Sequence, residues 1–249
     1  MNQPQWFQKQ ESYFNMQLFY NPSINETSTS FIFDKEESKH IVKVLRKKDG
    51  DILFVTNGLG YLFKTAVTLA SDSKCAVTIL SYEKISPSAH PVHIAVAPTK
   101  MNDRFEWFLE KATEIGIQEI TPIICDRSER KIINKERFEK IILTAMKQCN
   151  QLYLPKINDA ISYKDFFKKQ YEGVLLIAHC EETEKKSLKS ILQPNQKTTI
   201  LIGPEGDFSE KEIDLAIANN YIPVTLGNTR LRTETAAVVA CHSVVFFNE

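Results

Sequence analysis

The sequence predicts an α/β fold built on a mostly parallel sheet, preceded by a smaller β-rich domain. Three observations carry this prediction. From about residue 92, short apolar runs alternate with amphipathic helical segments, the pattern of successive βαβ units. From 16 to about 86 the signals are mostly strand-like. Between the two regions, ISPSAHP (85–91) sets two prolines among small polar residues and reads as a linker.

Taken in order, residues 1–15 are polar and aromatic without a clear period, and are set aside as an extension of uncertain role. QLFY opens a first strand after Met16. DKEESKHIVKVLR (34–46) reads as a helix, with Lys35, Lys39, Lys43 and Lys47 at four-residue spacing and Ile41, Val44 and Leu45 opposite. ILFVTNGLGYLFKTAVTL holds two β-rich runs around Asn57-Gly58, a hairpin signal, and CAVTIL (75–80) adds a strand. In the second region VHIAVAP (92–98) is a strand, and 102–116 a helix that turns Phe105, Phe108, Leu109, Ala112 and Ile115 to one face and closes on Gly116. A strand at 120–125 and a helix at 134–149 follow, then a helix at 162–171 and a strand at 174–180. The chain continues with a strand at 198–203, a helix at 209–219, a strand at 222–227 and an apolar final helix at 233–247.

Composition limits the function classes. Of 249 residues, 43% are hydrophobic and 25% charged, which excludes disordered, collagenous and coiled-coil chains. The 31 basic and 31 acidic residues cancel, yet 39–48 holds five Lys/Arg and no acid, and 127–137 holds five against two Glu. Such patches fit either solvated faces or contacts with nucleic acid. No apolar run approaches the roughly 18 to 20 residues of a bilayer span, and MNQPQWFQKQ lacks a basic-then-apolar leader. Five unclustered cysteines (75, 125, 149, 180, 241) point to free thiols, and with the missing leader to a cytoplasmic protein.

Ligands of open α/β sheets bind beyond the carboxyl ends of strands, and two such ends carry unusual loops. In LIGPEGDFSEKE (201–212), Gly203 and Gly206 allow close backbone approach, Pro204 stiffens the turn, and Ser209 with Glu212 forms a capping box. In TLGNTRLRTETAA (225–237), Gly227 ends a strand, Arg230 and Arg232 precede a helix capped by Thr233, and Glu234 suits the dipole of its first turn. Tight turns with caps explain the same residues equally well. No phosphate-binding glycine motif is present, and Gly58-Leu59-Gly60 belongs to the hairpin. His90 and His93 lack further metal-ligand partners, so no metal is expected. Cys241-His242 reads as core packing, and Glu106, Glu110 and Glu114 as a solvated helix face.

These two loops closely resemble the C-terminal signatures of the RsmE-type ribosomal RNA methyltransferases of the SPOUT superfamily. HIVKVLRKKDGD (40–51), the segment 100–130 and AMKQCNQLYLP (145–155) resemble further motifs of that family, in the same order. The resemblance implies a trefoil-knotted SPOUT domain over 92–249, with helices on both faces of its parallel sheet, and a small PUA-like RNA-binding β-barrel over 16–86. It implies a homodimer that uses S-adenosylmethionine to methylate N3 of one uridine in 16S ribosomal RNA, near the decoding centre of the assembled small subunit. Carried over by position, Leu201, Ile202, Gly203, Glu205, Gly206, Leu226, Gly227 and Leu231 hold the cofactor, largely through backbone. Arg232 and Glu234 are the catalytic candidates, Arg232 to stabilise negative charge on the deprotonated uracil and Glu234, or Glu205, as a base. His40, Lys43, Arg46, Lys47, Lys100, Arg127, Arg130 and Lys131 are the RNA-binding candidates. Two departures from the family pattern stand out: Asp207 in place of a second glycine, and Asn150-Gln151 in place of Gly-Arg. A SPOUT enzyme for another RNA site and a non-catalytic RNA-binding protein on the same scaffold remain the alternatives, separable by nucleoside analysis and by cofactor binding.

Overall fold

The computed structural model describes residues 16–182 and 184–249, so the extension at 1–15 lies outside the described residues. The chain forms two compact units: residues up to Pro87 together with Met146–Leu154, and Ser88–Ala145 together with Pro155–Glu249. Sequence reading had kept 146–154 inside the second region, because a segment's pattern does not reveal which core receives it.

In the first unit, five strands run in the order β1 (Leu18–Tyr20), β3 (Ile52–Thr56), β4 (Tyr61–Leu69), β5 (Ala76–Lys84) and β2 (Ser30–Ile32). All neighbours are antiparallel except β1 with β3, and β1 and β2 form its edges. Alternating residues of β3 and β4, including Leu53, Val55, Phe63 and Val67, fill a core with Phe19, Phe33, Ile41 and Val77. Leu152, from the segment that returns to this unit, packs with Leu18 and Leu62 in a second cluster. The hairpin signal is realised as a turn in which the Thr56 hydroxyl accepts from Gly58 N. Gly60 is obligatory there: its φ is +88°, and a Cβ would fall 2.3 Å from the Tyr153 ring. The helix expected over 34–46 is shorter, α1 (Lys35–Lys39), and widens into a π turn over His40–Val44. That wider turn breaks the four-residue register of the lysines.

The second unit is the predicted parallel sheet, with strand order β11 (Lys186–Ser187), β13 (Ile222–Thr225), β10 (Val174–Ala178), β12 (Thr198–Ile202), β6 (Val92–Val96), β7 (Glu119–Ile124) and β8 (Lys156–Ile157); β9 (Ile161–Ser162) also pairs with β7. Every pairing in it is parallel. Both faces are covered, as an all-parallel sheet requires. On one face Ala95, Ile123, Ile177 and Leu201 pack with Phe208, with Tyr163 and Phe166 of α4 (Tyr163–Phe166), and with Ile213 and Ala216 of α6 (Glu210–Ala218). The alternate strand residues Ile94, Ile120, Leu176 and Ile200 are buried on the other face, where α7 (Thr233–Asn248) packs on β6, β12 and α2 (Asn102–Ile115). The expected helix at 162–171 shrinks to the single turn of α4, beyond which Tyr171 folds back to stack on Phe166 at 4.5 Å, while the helix expected at 134–149 is α3 (Lys135–Gln148) and a short α5 (Leu188–Ile191) precedes β12.

Helix ends follow the chemistry read from sequence, with one exception. Gly116 closes α2 at φ +104°. Glu212 is buried and its carboxylate accepts from Ser209 N at 2.8 Å, the return half of the capping box. Thr233, expected as the cap of the last helix, is instead its first residue, and Arg232 is the cap. The Thr233 hydroxyl donates to Gly203 O at 3.1 Å, tying the start of the helix to the loop after β12. Cys241 is buried as expected, whereas its neighbour His242 is exposed and stacks on Phe246. Glu110 and Glu114 do form a salt-bridged surface with Lys111, and Glu106 pairs with Arg137. Among the described residues, no helix is long and apolar enough to cross a membrane.

Candidate cofactor cleft

Three neighbouring strands end in one register row: Ala178 of β10 pairs with Ile202 of β12 and with Val224 of β13. Just beyond these ends a cleft of about 480 Å³ opens. Its size lies in the range of roughly 300–1,000 Å³ usual for small-molecule sites. The row itself gives an apolar floor. The walls come from His179, Cys180 and Lys185 after β10, from Gly203, Pro204, Glu205 and Asp207 after β12, and from 225–233 after β13. This is where an open parallel sheet is expected to bind a ligand, because the loops diverge there.

The structure brings together most of the cofactor residues nominated by the sequence. Ile202, Gly203, Glu205, Leu226, Gly227 and Leu231 all line the cleft. Leu201 and Gly206 do not: Leu201 points to the opposite face and is fully buried there, and Gly206 lies against Arg127. Gly203 serves packing as much as access, since a Cβ would meet the Phe208 ring at 3.1 Å. Gly227 is different. Its φ is +140° and the position its Cβ would take is open, so a ligand can approach the Cα there, while its N–H donates to the Thr225 hydroxyl and its carbonyl accepts from it.

Polar ties hold the walls. Arg127 donates to Gly206 O at 2.9 Å and Phe208 O at 3.3 Å. Arg230 donates to Glu205 O, and Glu205 Oε1 accepts from Lys100 N at 2.8 Å. Asp207 explains itself geometrically. It has φ +62°, a conformation that suits glycine and that aspartate tolerates. Its carboxylate accepts from Cys180 N at 2.7 Å, tying two walls of the cleft. The second departure behaves alike, since Asn150 takes φ +56° where the family pattern has glycine.

Arg232 lines the cleft, is exposed, and its guanidinium makes no hydrogen bond or ion pair among the described residues. Glu234 lies outside the lining. It is buried in the first turn of α7, with Oε1 3.9 Å from Arg104 Nε and Oε2 without a partner among the described residues. The two catalytic candidates are therefore separated by the helix start. The RNA-binding candidates divide between the two units. In the first, His40 pairs with Glu37 and Lys43 with Asp72, while Arg46 is exposed at φ +55° and Lys47 half-buried. In the second, Lys100 pairs with Glu129, Arg130 donates to the carbonyls of Thr99 and Lys100, and Lys131 is exposed. Arg127 and Arg130 thus serve as loop clamps, a role invisible in a count of basic residues.

Sequence reading missed His179, Cys180 and Lys185, which also line the cleft. The strand expected over 174–180 ends at Ala178, so His179 and Cys180, read as strand residues, belong instead to the loop beyond it. The apolar floor, the open space at Gly227, and buried unpartnered atoms at the rim (both ring nitrogens of His179, and Glu205 Oε2) fit a partly apolar small ligand that brings hydrogen-bonding groups of its own.

Comparison with known proteins agrees with this geometry. The model of an RNA methyltransferase domain matches residues 86–245, and that of an RNA methyltransferase PUA domain matches 33–80. The chain is 33% identical to the ribosomal RNA small subunit methyltransferase E of Buchnera aphidicola (84% of this chain, 85% of that protein) and 30% identical to that of Rickettsia conorii (91% and 93%). Among solved structures, a probable rRNA-methyltransferase from Porphyromonas gingivalis is 38% identical with a TM-score of 0.87, covering 94% of this chain and 98% of its own. A putative methyltransferase from Legionella pneumophila, solved with bound SAM, is 27% identical with a TM-score of 0.81, covering 93% and 97%.

Proposed function

The chain belongs to the ribosomal RNA small subunit methyltransferase E family, and from that premise we propose that it methylates N3 of one uridine in 16S ribosomal RNA near the decoding centre, using S-adenosylmethionine. The observation that carries the proposal is the cleft beyond β10, β12 and β13, which combines an apolar floor with an exposed, unengaged Arg232. When bound, the cofactor supplies a sulfonium-activated methyl group. The protein's part is alignment of an in-line displacement, a matter of positioning. Ile202 and Val224 offer apolar surface, and Gly227, with open space where a Cβ would stand, lets a ligand approach the loop closely. Uracil N3 must lose its proton, for which the unpartnered Glu205 Oε2 in the cleft is the acceptor at hand, and the Arg232 guanidinium stabilises the charge that develops on the ring. N3 lies on the pairing edge, so the target nucleotide must be unpaired or extruded.

Family membership also underlies three finer readings. The chain dimerises, with the apolar last helix α7 suited to an interface. It acts on the assembled small subunit, with the first unit as an RNA-binding module. Its C-terminal segment is threaded as a trefoil knot, a reading supported by the ties Thr233 to Gly203 O and Arg230 to Glu205 O between the two loops.

The test is transfer of labelled methyl groups to small subunits lacking the modification, followed by digestion and nucleoside analysis. N3-methyluridine at one site is the expected product. Label in another nucleoside would move the substrate, and absence of both label and cofactor binding would reject the enzyme. Arg232→Ala should lower turnover about 100-fold, the usual loss for one donor at developing charge, with cofactor affinity unchanged.

A further inference from the structure

His179 is the first residue past β10, one step beyond the row in which Ala178, Ile202 and Val224 floor the cleft. It lines the cleft, is only 7% exposed, and neither ring nitrogen has a hydrogen-bond partner among the described residues. A buried imidazole without partners is costly, and native interiors leave few such groups unexplained. The backbone around it is, in contrast, tied at three points. Lys185 Nζ donates to His179 O at 3.0 Å and to Glu181 O at 2.7 Å, while the next N–H, of Cys180, is held by Asp207. The side chain is therefore presented on a fixed frame, with its hydrogen-bonding capacity free.

The charge state narrows what it can recognise. Burial lowers the ring's pKa, with the Lys185 charge acting the same way against the opposing carboxylates of Asp207 and Glu181. At neutral pH the ring is uncharged, one nitrogen a donor and the other an acceptor. A neutral donor–acceptor pair matches a ribose diol or the edge of an adenine, both of which present donors and acceptors together. A free carboxylate only accepts and an ammonium only donates, so either would leave one ring nitrogen unpartnered. The apolar floor one residue away is where a planar base or sugar would rest.

We infer that His179 is a positioning residue that reads the adenosyl part of the cofactor by hydrogen bonds, not its amino-acid end. The inference rests on the cofactor assignment above and deepens it.

The experiment is calorimetric titration of the full-length chain with S-adenosylhomocysteine and with 5′-methylthioadenosine, which lacks the amino-acid end. Wild type is compared with His179→Phe, which keeps a ring without hydrogen bonds, and His179→Asn, which restores a donor and an acceptor. Far-ultraviolet circular dichroism checks that each variant is folded. His179→Phe should lose about ten-fold in affinity for both ligands, the scale of one neutral hydrogen bond, and His179→Asn should recover part of it. Nitrogen-15 shifts of the His179 ring in wild type should move on adding 5′-methylthioadenosine; they remain readable if His179→Phe fails to fold. Unchanged ring shifts, equal affinities in wild type and His179→Phe, or a loss confined to S-adenosylhomocysteine would overturn the inference. Failure of wild type to bind either ligand would instead reject the cofactor assignment, and the inference with it.

Discussion

Acidification should destabilise the α/β unit through a residue far from any proposed chemistry. His93 lies on β6 and is fully buried. Its Nε2 is 2.8 Å from Thr121 Oγ1 and its Nδ1 3.4 Å from Thr199 Oγ1. Tyr171 lies on one side of the ring at 5.2 Å between centroids. Desolvation lowers its pKa from 6.5 to about 4; the carboxylate of Glu119 opposes this, and Lys197, Lys169 and Lys156 add to it. The unfolded chain therefore binds the extra proton between pH 6.5 and 4, so the neutral ring's contribution is complete above pH 6.5 and is lost as pH falls toward 4. Integrating that shift from pH 7.5 to 5.0 gives about 2 kcal/mol, and about 3 kcal/mol once the folded-state pKa is passed. The Glu119 carboxylate, whose pKa is lowered from 4.5, acts in the same direction only in more acid solution. Stopping at pH 5.0 keeps the two apart. The assay is urea unfolding followed by circular dichroism at both pH values, for wild type and for His93→Gln, an amide that cannot titrate. Every other group titrates in both proteins, so the difference isolates His93. Wild type should lose about 2 kcal/mol more than the variant. Equal losses would refute the claim that this ring is held neutral by burial.

Three further outcomes follow from the geometry. Gly173→Ala should destabilise by at least about 3 kcal/mol, because Gly173 has φ +91° and a Cβ would sit 2.1 Å from Lys197 O; a thermal midpoint unchanged from wild type would contradict it. Arg127→Ala removes two hydrogen bonds to the 206–208 backbone and should weaken S-adenosylhomocysteine binding about ten-fold, although Arg127 does not line the cleft; calorimetry decides. Cys180 is the exposed cysteine at the cleft, with its thiol pKa raised by burial and by Asp207. Alkylation there should be slow at pH 7, faster as pH rises, and suppressed by S-adenosylhomocysteine, as read by peptide mass spectrometry.

Much of the site was legible because its residues are consecutive. LIGPEGDF and TLGNTRLRT each follow a β-run and precede a helix, and a parallel sheet sends such loops to the same edge. Gly203, Gly227 and Arg232 stand out on that ground, while Ile202, Glu205, Leu226 and Leu231 came from the family resemblance, and all share one cleft. His179 was not, since the strand ending VLLIAHC carries no glycine or charge pattern to attract notice. Only the pairing of β10 between β12 and β13 puts it beside the other two loops.

What the sequence determined by itself was local: the alternation that makes one unit a parallel sheet, the hairpin at Asn57-Gly58, Gly116 at a helix end, and the two loops that would face a ligand. These depend on periodicity and backbone preference, which neighbouring residues set. What only the tertiary structure decided was partnership. It assigned Met146–Leu154 to the first unit, turned Arg127 and Arg130 into clamps on backbone carbonyls, gave the Thr233 hydroxyl to Gly203, and buried Glu234 beside Arg104. Each outcome turns on a donor or acceptor meeting a group distant in the chain, and the energy of such a meeting depends on distances that a linear pattern does not contain.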